Sequence, residues 1–133
     1  MIRMTIGQVA KKTGVSVETI RYYEKEGLIT EPERSPSGYR QYPAETIKHV
    51  LFIQRAKDVG FTLKEINDLL SLQSKPQACC GDVLSKATLK VEQIEAQINE
   101  LQRMRDALRQ LTSDCASDSG LEDCPILDAL YAS

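Results

Sequence analysis

The chain has 133 residues, of which 41% are hydrophobic and 27% are charged, a composition typical of one folded domain or of two small ones that share a core. No apolar run approaches the ~20 residues that span a bilayer, and the first residues lack a signal peptide, so we expect a cytoplasmic protein with no membrane partner. The net charge of −2 is unevenly distributed: residues 1–60 hold ten Lys/Arg against seven Asp/Glu, and residues 61–133 hold seven against twelve. The first half can therefore meet an anion, which the acidic second half cannot easily do.

The start of the chain predicts a helix-turn-helix. Thr5 followed by Gln8 is a capping box that opens a first short helix, and Gly14 ends this helix. Ser16 caps a second helix, which runs from Val17 to about Glu24. Two short helices joined by a turn that contains glycine are typical of DNA-binding proteins, although many such pairs bind no nucleic acid.

The second helix carries side chains that suit DNA. Its exposed positions are Glu18, Thr19, Arg21 and Tyr22. The hydroxyl and guanidinium groups among them can donate to phosphates, and arginine can also read guanine edges. Val17 and Ile20 face inward, with Tyr23 as a candidate third member of that inner face.

A hairpin wing is predicted next. Pro, Ser and Gly at 36–38 have turn chemistry, with the glycine available for a positive φ. Arg34 on one flank and Tyr39 and Arg40 on the other suit backbone phosphates. A solvated surface hairpin is the alternative, and the neighbouring helix-turn-helix favours the wing.

Two further helices follow the wing. The first runs from about Ala44 to Val59, and a capping box at Thr62 and Glu65 opens the second. The predicted inner face of the first consists of Ile47, Val50 and Leu51, with Ile53 partly inward and Phe52 at the edge; that of the second consists of Leu63, Ile66, Leu69 and Leu70. His49 has no ligand partner nearby in sequence, so we expect it at the surface or half-buried.

A long helix is predicted from about Gly81 to Thr112, because no proline and no further glycine interrupts this stretch. Its apolar residues are spaced alternately by three and four, which is a heptad seam. The seam consists of Leu84, Ala87, Val91, Ile94, Ile98 and Leu101, and then shifts to Met104, Leu108 and Leu111. Because the chain offers no second helix of this length to cover the seam, a homodimer is expected.

Four cysteines bracket the long helix. Cys79 and Cys80 precede it, Cys115 follows it, and Cys124 caps a short final helix that begins at Pro125. Without a secretory signal a disulfide framework is not expected, and the polar, loop-like context favours metal or redox chemistry over burial. Cys79 and Cys80 form one set, at the N-terminus of the long helix, and the second set contains Cys124 at the N-terminus of the final helix. The dipole at a helix N-terminus favours thiolate.

An antiparallel dimer would bring Cys79 and Cys80 of one chain beside Cys115 and Cys124 of the other. Thiolates without histidine select soft metals, and the paired C-x-x-C spacing of a structural zinc site is absent. Enzyme chemistry is not expected, because the chain lacks a C-x-x-C on a βαβ pattern, a carboxylate pair and a Ser/His arrangement. A bare coiled-coil adaptor is the remaining alternative, which failure to bind any duplex would favour.

Four segments of the chain resemble the MerR family of transcription regulators. They are TIGQVA at 5–10, VETIRYYE at 17–24, GYRQY at 38–42 and GFTLKEI at 60–66. Together these motifs are highly specific to the family, and the likeness extends over essentially the whole chain.

The resemblance implies a mostly α fold. A winged helix-turn-helix DNA-binding domain, which includes a second helix pair that forms another wing, would occupy residues 1–75. A long antiparallel coiled-coil dimerisation helix with the preceding cysteine pair would occupy 76–112, and a metal-binding loop with a short helix would occupy 113–133.

The resemblance also implies a mechanism. The homodimer would sit on double-stranded promoter DNA whose spacer is too long for RNA polymerase, and effector binding would make it bend and untwist the duplex to activate transcription of resistance genes. Contacts carried over from the family, together with the exposed positions above, give the predicted DNA-contact set: Thr19, Arg21, Tyr22, Tyr23, Gly38, Tyr39, Arg40 and Tyr42.

The cysteine pattern implies an effector. Mercury-responsive members carry one cysteine before the long helix, one after it and one in a Cys-Pro-Ile/Leu motif, and Cys80, Cys115 and Cys124 match these in spacing and context. This implies three-coordinate Hg(II), with Cys80 donated by the other protomer. Zinc-responsive relatives carry a second cysteine at the position of Asp114 and a histidine in the loop, and both are absent here. Cadmium- and lead-responsive relatives have a shorter loop and no proline after the last cysteine.

Cys79 is additional to the mercury pattern. If both members of the pair bound, four thiolates would leave room for Cd(II), Pb(II) or Zn(II), which is the alternative effector set. Adjacent cysteines close a strained chelate ring, so we favour Cys80 as the ligand and Cys79 as a bystander.

Overall fold

The computed structural model describes residues 3–118 and 120–132. Four residues lie outside the described part of the chain: Met1, Ile2, Ser119 and Ser133. Ser119 belongs to the predicted metal-binding loop. The chain divides into two compact units, Met1–Ala87 and Thr88–Ser133. The boundary between them falls inside the long helix, so the domain limits at 75/76 and 112/113 stay predictions.

The first unit has the predicted helix-turn-helix, wing and second helix pair. Its elements in chain order are β1 (Arg3–Met4), α1 (Ile6–Thr13), α2 (Val17–Lys25), β2 (Glu33–Arg34), β3 (Arg40–Pro43), α3 (Glu45–Asp58) and α4 (Leu63–Gln73). The predicted helix limits agree with these to within a few residues, because each helix begins or ends at a local capping signal.

Both predicted capping boxes are formed. The backbone N–H of Thr5 donates to Gln8 Oε1 at 2.9 Å, and the Gln8 N–H donates to Thr5 Oγ1 at 3.2 Å. The same reciprocal pair joins Thr62 and Glu65 at 2.8 and 3.2 Å. Gly14 ends α1 in the left-handed region, with φ of 74°, a conformation that glycine adopts without steric cost.

The wing is part of a three-stranded antiparallel sheet with the order β1-β3-β2. The sequence predicted only the hairpin, so β1 is a strand that the sequence analysis missed. Met4 pairs with Tyr42, and Arg34 pairs with Arg40. A two-residue strand has no periodicity of its own, and its order comes from pairing with a strand distant in sequence.

The core of the first unit lies between the sheet and helices α1 to α4. Its largest fully buried side chains are Tyr23, Tyr42, Ile20, Ile53, Ile66, Val9 and Val50. On α3 the buried residues are Thr46, Val50, Ile53 and Ala56. The predicted face was therefore rotated slightly wrongly: Ile53 is fully buried and Leu51 only partly so. His49 is exposed, as one of the two expectations had it.

The long helix α5 spans Cys80–Ser113, beginning in the first unit and ending in the second. Its 34 residues make it roughly 50 Å long. No residue of α5 is buried in the single chain, and Val91, Leu101 and Leu108 of the seam are more than half exposed. After α5 the second unit contains a 3₁₀ turn, Leu121–Asp123, and the short helix α6, Pro125–Tyr131. No helix in the described residues is long and apolar enough to cross a membrane.

Candidate functional site

A groove of about 440 Å³ lies between the helix-turn-helix and the wing of the first unit. It is lined by Thr5, Ile6, Arg21, Arg34, Gly38, Tyr39 and Arg40. Among the residues that the structure describes, this lining contains three arginines and no carboxylate. Three guanidinium groups around one groove make a surface that attracts anions.

Helix α2 presents Arg21 and Tyr22 to solvent. Its N-cap is Ser16, whose Oγ accepts from the Thr19 N–H at 3.1 Å and lies 2.8 Å from Thr19 Oγ1. The Thr19 hydroxyl is thus engaged in the cap, whereas Tyr22 is 48% exposed. Within the described part of the chain, the Arg21 guanidinium has no hydrogen-bond or ion-pair partner, so it is available to a ligand.

The tip of the wing is held by local hydrogen bonds. The Ser35 N–H donates to the Tyr39 carbonyl at 2.7 Å, and the Gly38 N–H donates to the Ser35 carbonyl at 2.9 Å. Gly38 has φ of 89°, which other residues adopt only with strain. Arg34 Nη1 donates to the Gly38 carbonyl at 3.0 Å, while Tyr39 is 73% exposed. The wing therefore presents a fixed tip with an accessible phenol.

Two members of the predicted DNA-contact set are core residues. Tyr23 is 1% exposed and Tyr42 is 0% exposed, so the prediction that their side chains contact DNA is wrong for this geometry. The Tyr23 hydroxyl accepts from Gln54 Nε2, and the Tyr42 hydroxyl donates to Glu24. Burial raises the pKa of both phenols; Glu24 raises that of Tyr42 further, whereas the bond to Gln54 opposes the shift of Tyr23.

Glu24 was not among the predicted site residues. Its side chain is only 9% exposed, and Oε2 lies 3.7 Å from Arg40 Nη1 of the wing. The sequence analysis used Glu24 as the end of α2 and of the motif at 17–24, and gave it no role in the site. One signal could have pointed to Glu24. Arg40 and Tyr42 are two residues apart, so their side chains lie on the same face of a strand and can reach one common partner.

The first cysteine pair lies at the start of α5. Cys80 is the first residue of the helix, and both Cys79 and Cys80 are exposed. The Cys79 N–H donates to Asp82 Oδ2 at 2.8 Å. A Cβ atom at Gly81 would lie 3.4 Å from Cys79 Sγ. The Cys79 thiol therefore lies against the first turn of the helix.

The second pair, Cys115 and Cys124, comes together within the second unit. Both are half-buried, and Cys124 is the N-cap residue of α6, followed by Pro125 as the first helical residue. Desolvation raises the pKa of the Cys115 thiol, and the neighbouring Cys124 thiol raises it further. Cys115 Sγ donates to the Ala116 carbonyl at 3.7 Å. In the described residues of a single chain, no group of three or more Cys, His, Asp or Glu is placed to hold a metal ion. One chain thus supplies two adjacent thiols here, to which a further donor would have to be added.

The chain matches two known protein families. Residues 4–73 match the MerR HTH family regulatory protein, and residues 47–111 match MerR, DNA binding. These regions contain every predicted DNA-contact residue and nearly all of α5.

Known proteins match over almost the whole chain. The mercuric resistance operon regulatory protein of Bacillus cereus is 41% identical over 129 residues, which is 97% of this chain and 98% of that protein. A structure of the transcription regulator PbrR691 from Ralstonia metallidurans CH34 in complex with lead(II) has a TM-score of 0.87 at 35% identity and covers 96% of this chain and 98% of its own.

A structure of the dual-function regulator MerR from Bacillus megaterium MB1 in complex with mercury(II) has a TM-score of 0.75 at 37% identity. It covers 97% of this chain and 100% of its own. The relatives are transcription regulators and not enzymes, and the chain belongs to the MerR family of helix-turn-helix regulatory proteins.

Proposed function

We propose that the protein binds promoter DNA as a homodimer and activates transcription when Hg(II) binds its cysteine thiolates. The observation that carries the metal part is the approach of Cys115 and Cys124 in the second unit, at positions that match the mercury-responsive pattern. Soft sulfur donors without histidine select thiophilic ions. The mercuric resistance regulator of Bacillus cereus and the mercury(II)-bound MerR support this choice.

The groove lined by Arg21, Arg34 and Arg40, which we call the arginine groove, supports DNA binding. Arg21 is free of protein partners within the described part of the chain. Tyr22, the next residue on α2, is exposed, and Tyr39 is exposed in the groove lining. Of the predicted DNA-contact set, six residues remain as proposed contacts or supports: Thr19, Arg21, Tyr22, Gly38, Tyr39 and Arg40. We assign Thr19 and Gly38 to shaping the backbone, and the two arginines and two tyrosines to contacts with phosphates or bases.

The exposed seam of α5 supports the homodimer. The apolar side chains of Val91, Leu101 and Leu108 have no cover within the single chain, and a second copy of α5 in antiparallel orientation would cover them. That orientation would bring the partner's Cys80 to Cys115 and Cys124 and complete a three-thiolate site. The bound dimer would then distort the promoter so that RNA polymerase can use it.

A second candidate effector is lead(II). The lead(II)-bound PbrR691 has a TM-score of 0.87 to this chain, and Cys79 provides a thiol beyond the three of the mercury pattern. Cd(II) and Zn(II) belong to the same alternative, because a fourth thiolate would enlarge the donor set.

The test is a titration of the reduced dimer with Hg(II), Pb(II), Cd(II) and Zn(II) under competing thiol, with transcription in vitro as the readout. We expect Hg(II) to activate transcription at a lower concentration than the other three ions, and we expect Cys79→Ser to respond in the same way. Activation led by one of the other three ions and lost in Cys79→Ser would show that the adjacent pair determines the selectivity.

Mixed dimers test whether ligation crosses the interface. One chain carries Cys80→Ala and the other carries Cys124→Ala. Because a cross-chain site uses the partner's Cys80, this dimer should keep one complete three-thiolate site and show half the three-coordinate Hg(II) of the wild type. A mixed dimer with no three-coordinate Hg(II) would place all the ligands within one chain.

A further inference from the structure

We propose that Glu24 is a positioning residue for operator binding, which holds Arg40 of the wing beside Arg21 of helix α2. The inference rests on the proposed role of the arginine groove in binding DNA. It adds a residue that lies behind the groove and outside its lining.

The spacing of residues brings this arrangement about. Arg21 and Glu24 are three residues apart on α2, so they lie one above the other on the same side of the helix. Arg40 and Tyr42 are two residues apart on β3, so their side chains leave the strand on the same face. Both of these β3 side chains reach the Glu24 carboxylate.

Glu24 is itself held in place from the core. The hydroxyl of the fully buried Tyr42 donates to Glu24 Oε1, and Arg40 Nη1 lies 3.7 Å from Oε2. The Glu24 side chain is 9% exposed, whereas that of Arg40 is 28% exposed. The carboxylate is therefore a fixed anchor, and the guanidinium is the member of the pair that reaches solvent.

Charge explains why the wing needs such an anchor. Arg34 and Arg40 are opposite each other in the β2–β3 pairing, and like charges at directly opposite positions of a sheet repel. Both also line the groove together with Arg21. Without a counter-charge Arg40 would swing away from this cluster, and DNA binding would have to restore its position.

A double-mutant cycle on operator DNA tests the proposal, with a duplex that the wild-type dimer selects from a random pool. Glu24→Gln keeps an acceptor for the Tyr42 hydroxyl and removes the charge that pairs with Arg40. We expect it to weaken operator affinity about fivefold, the upper end of what a partly exposed ion pair contributes. In the Arg40→Gln background the same substitution should have no further effect, because the group that it positions is gone.

The cycle distinguishes this inference from the proposed function. If Arg40→Gln alone leaves the affinity for the operator unchanged, Arg40 does not contact DNA, and the proposed function is wrong at this residue. If Arg40→Gln weakens binding but Glu24→Gln does not, or tightens it, positioning by Glu24 is wrong. An equal loss of affinity on Glu24→Gln in both backgrounds would mean that Glu24 has a general structural role. Tyr42→Phe keeps the Glu24–Arg40 pair, so it separates the effect of losing the core hydrogen bond from that of losing the ion pair.

Discussion

Replacing Cys115 by serine is expected to abolish metal-dependent activation and to leave operator binding at the wild-type level. Cys115 is the thiol that the structure places beside Cys124, so its loss removes one of the two donors that a single chain brings together. A serine hydroxyl is a poor ligand for a soft ion, whereas its size preserves the loop. The measurement is transcription in vitro over a titration of Hg(II), with the affinity for the promoter duplex determined in parallel.

Cys79→Ser is the matched control for Cys115→Ser. It removes one exposed thiol by the same chemical change at a residue that we take to be a bystander, and it should keep full activation by Hg(II). If Cys115→Ser loses operator binding together with activation, the residue has a structural role instead. If it still responds to Hg(II), Cys115 is not a ligand.

Arg21→Ala is expected to weaken operator affinity by about tenfold or more, the range for an arginine that contacts a base or phosphate. The guanidinium lines the groove and has no competing partner in the described residues, so it need not break a protein contact to reach DNA. The dissociation constant of the labelled duplex at fixed salt is the quantity to measure. Metal binding by the protein without DNA should be unchanged.

Arg103→Ala provides the control for charge. Arg103 lies on α5 and pairs with Glu100 on the exposed surface of the second unit, so its loss changes the net charge equally without touching the groove. We expect affinity within about twofold of wild type, because Arg103 is outside the groove lining and an exposed charge is screened at physiological salt. Equal effects of Arg21→Ala and Arg103→Ala would remove Arg21 from the DNA interface.

Features encoded by short-range patterns could be predicted from the sequence. The capping boxes at Thr5 and Thr62 mark the starts of α1 and α4, because each uses residues only three positions apart. The long helix was predicted to within about one residue at each end, since no further glycine or proline interrupts it after Gly81.

Features that depend on distant partners could not be predicted in the same way. Strand β1 exists because Met4 pairs with Tyr42, which no local pattern announces. Tyr42 was assigned to DNA because the resemblance to the family carried a phosphate contact over to it, yet it is buried against Glu24. In the cysteine site, the position of Cys115 and Cys124 after the long helix placed them in one set, and the resemblance supplied the count of three ligands. The eight residues between the two cysteines do not fix their approach.

The seven-residue helix α6 is shorter than the roughly 12 residues at which a helix begins to persist in water. Its order must therefore come from contacts outside the helix, and the approach of its N-cap residue, Cys124, to Cys115 is one of these. A ligand that requires both thiols then binds only the ordered fraction of the segment, and its apparent affinity is its intrinsic affinity multiplied by that fraction. The threshold concentration for thiophilic ions is in this sense also a property of helix stability: a substitution in α6 that touches no ligand would change it for every ion by the same factor and leave the ranking of the ions unchanged.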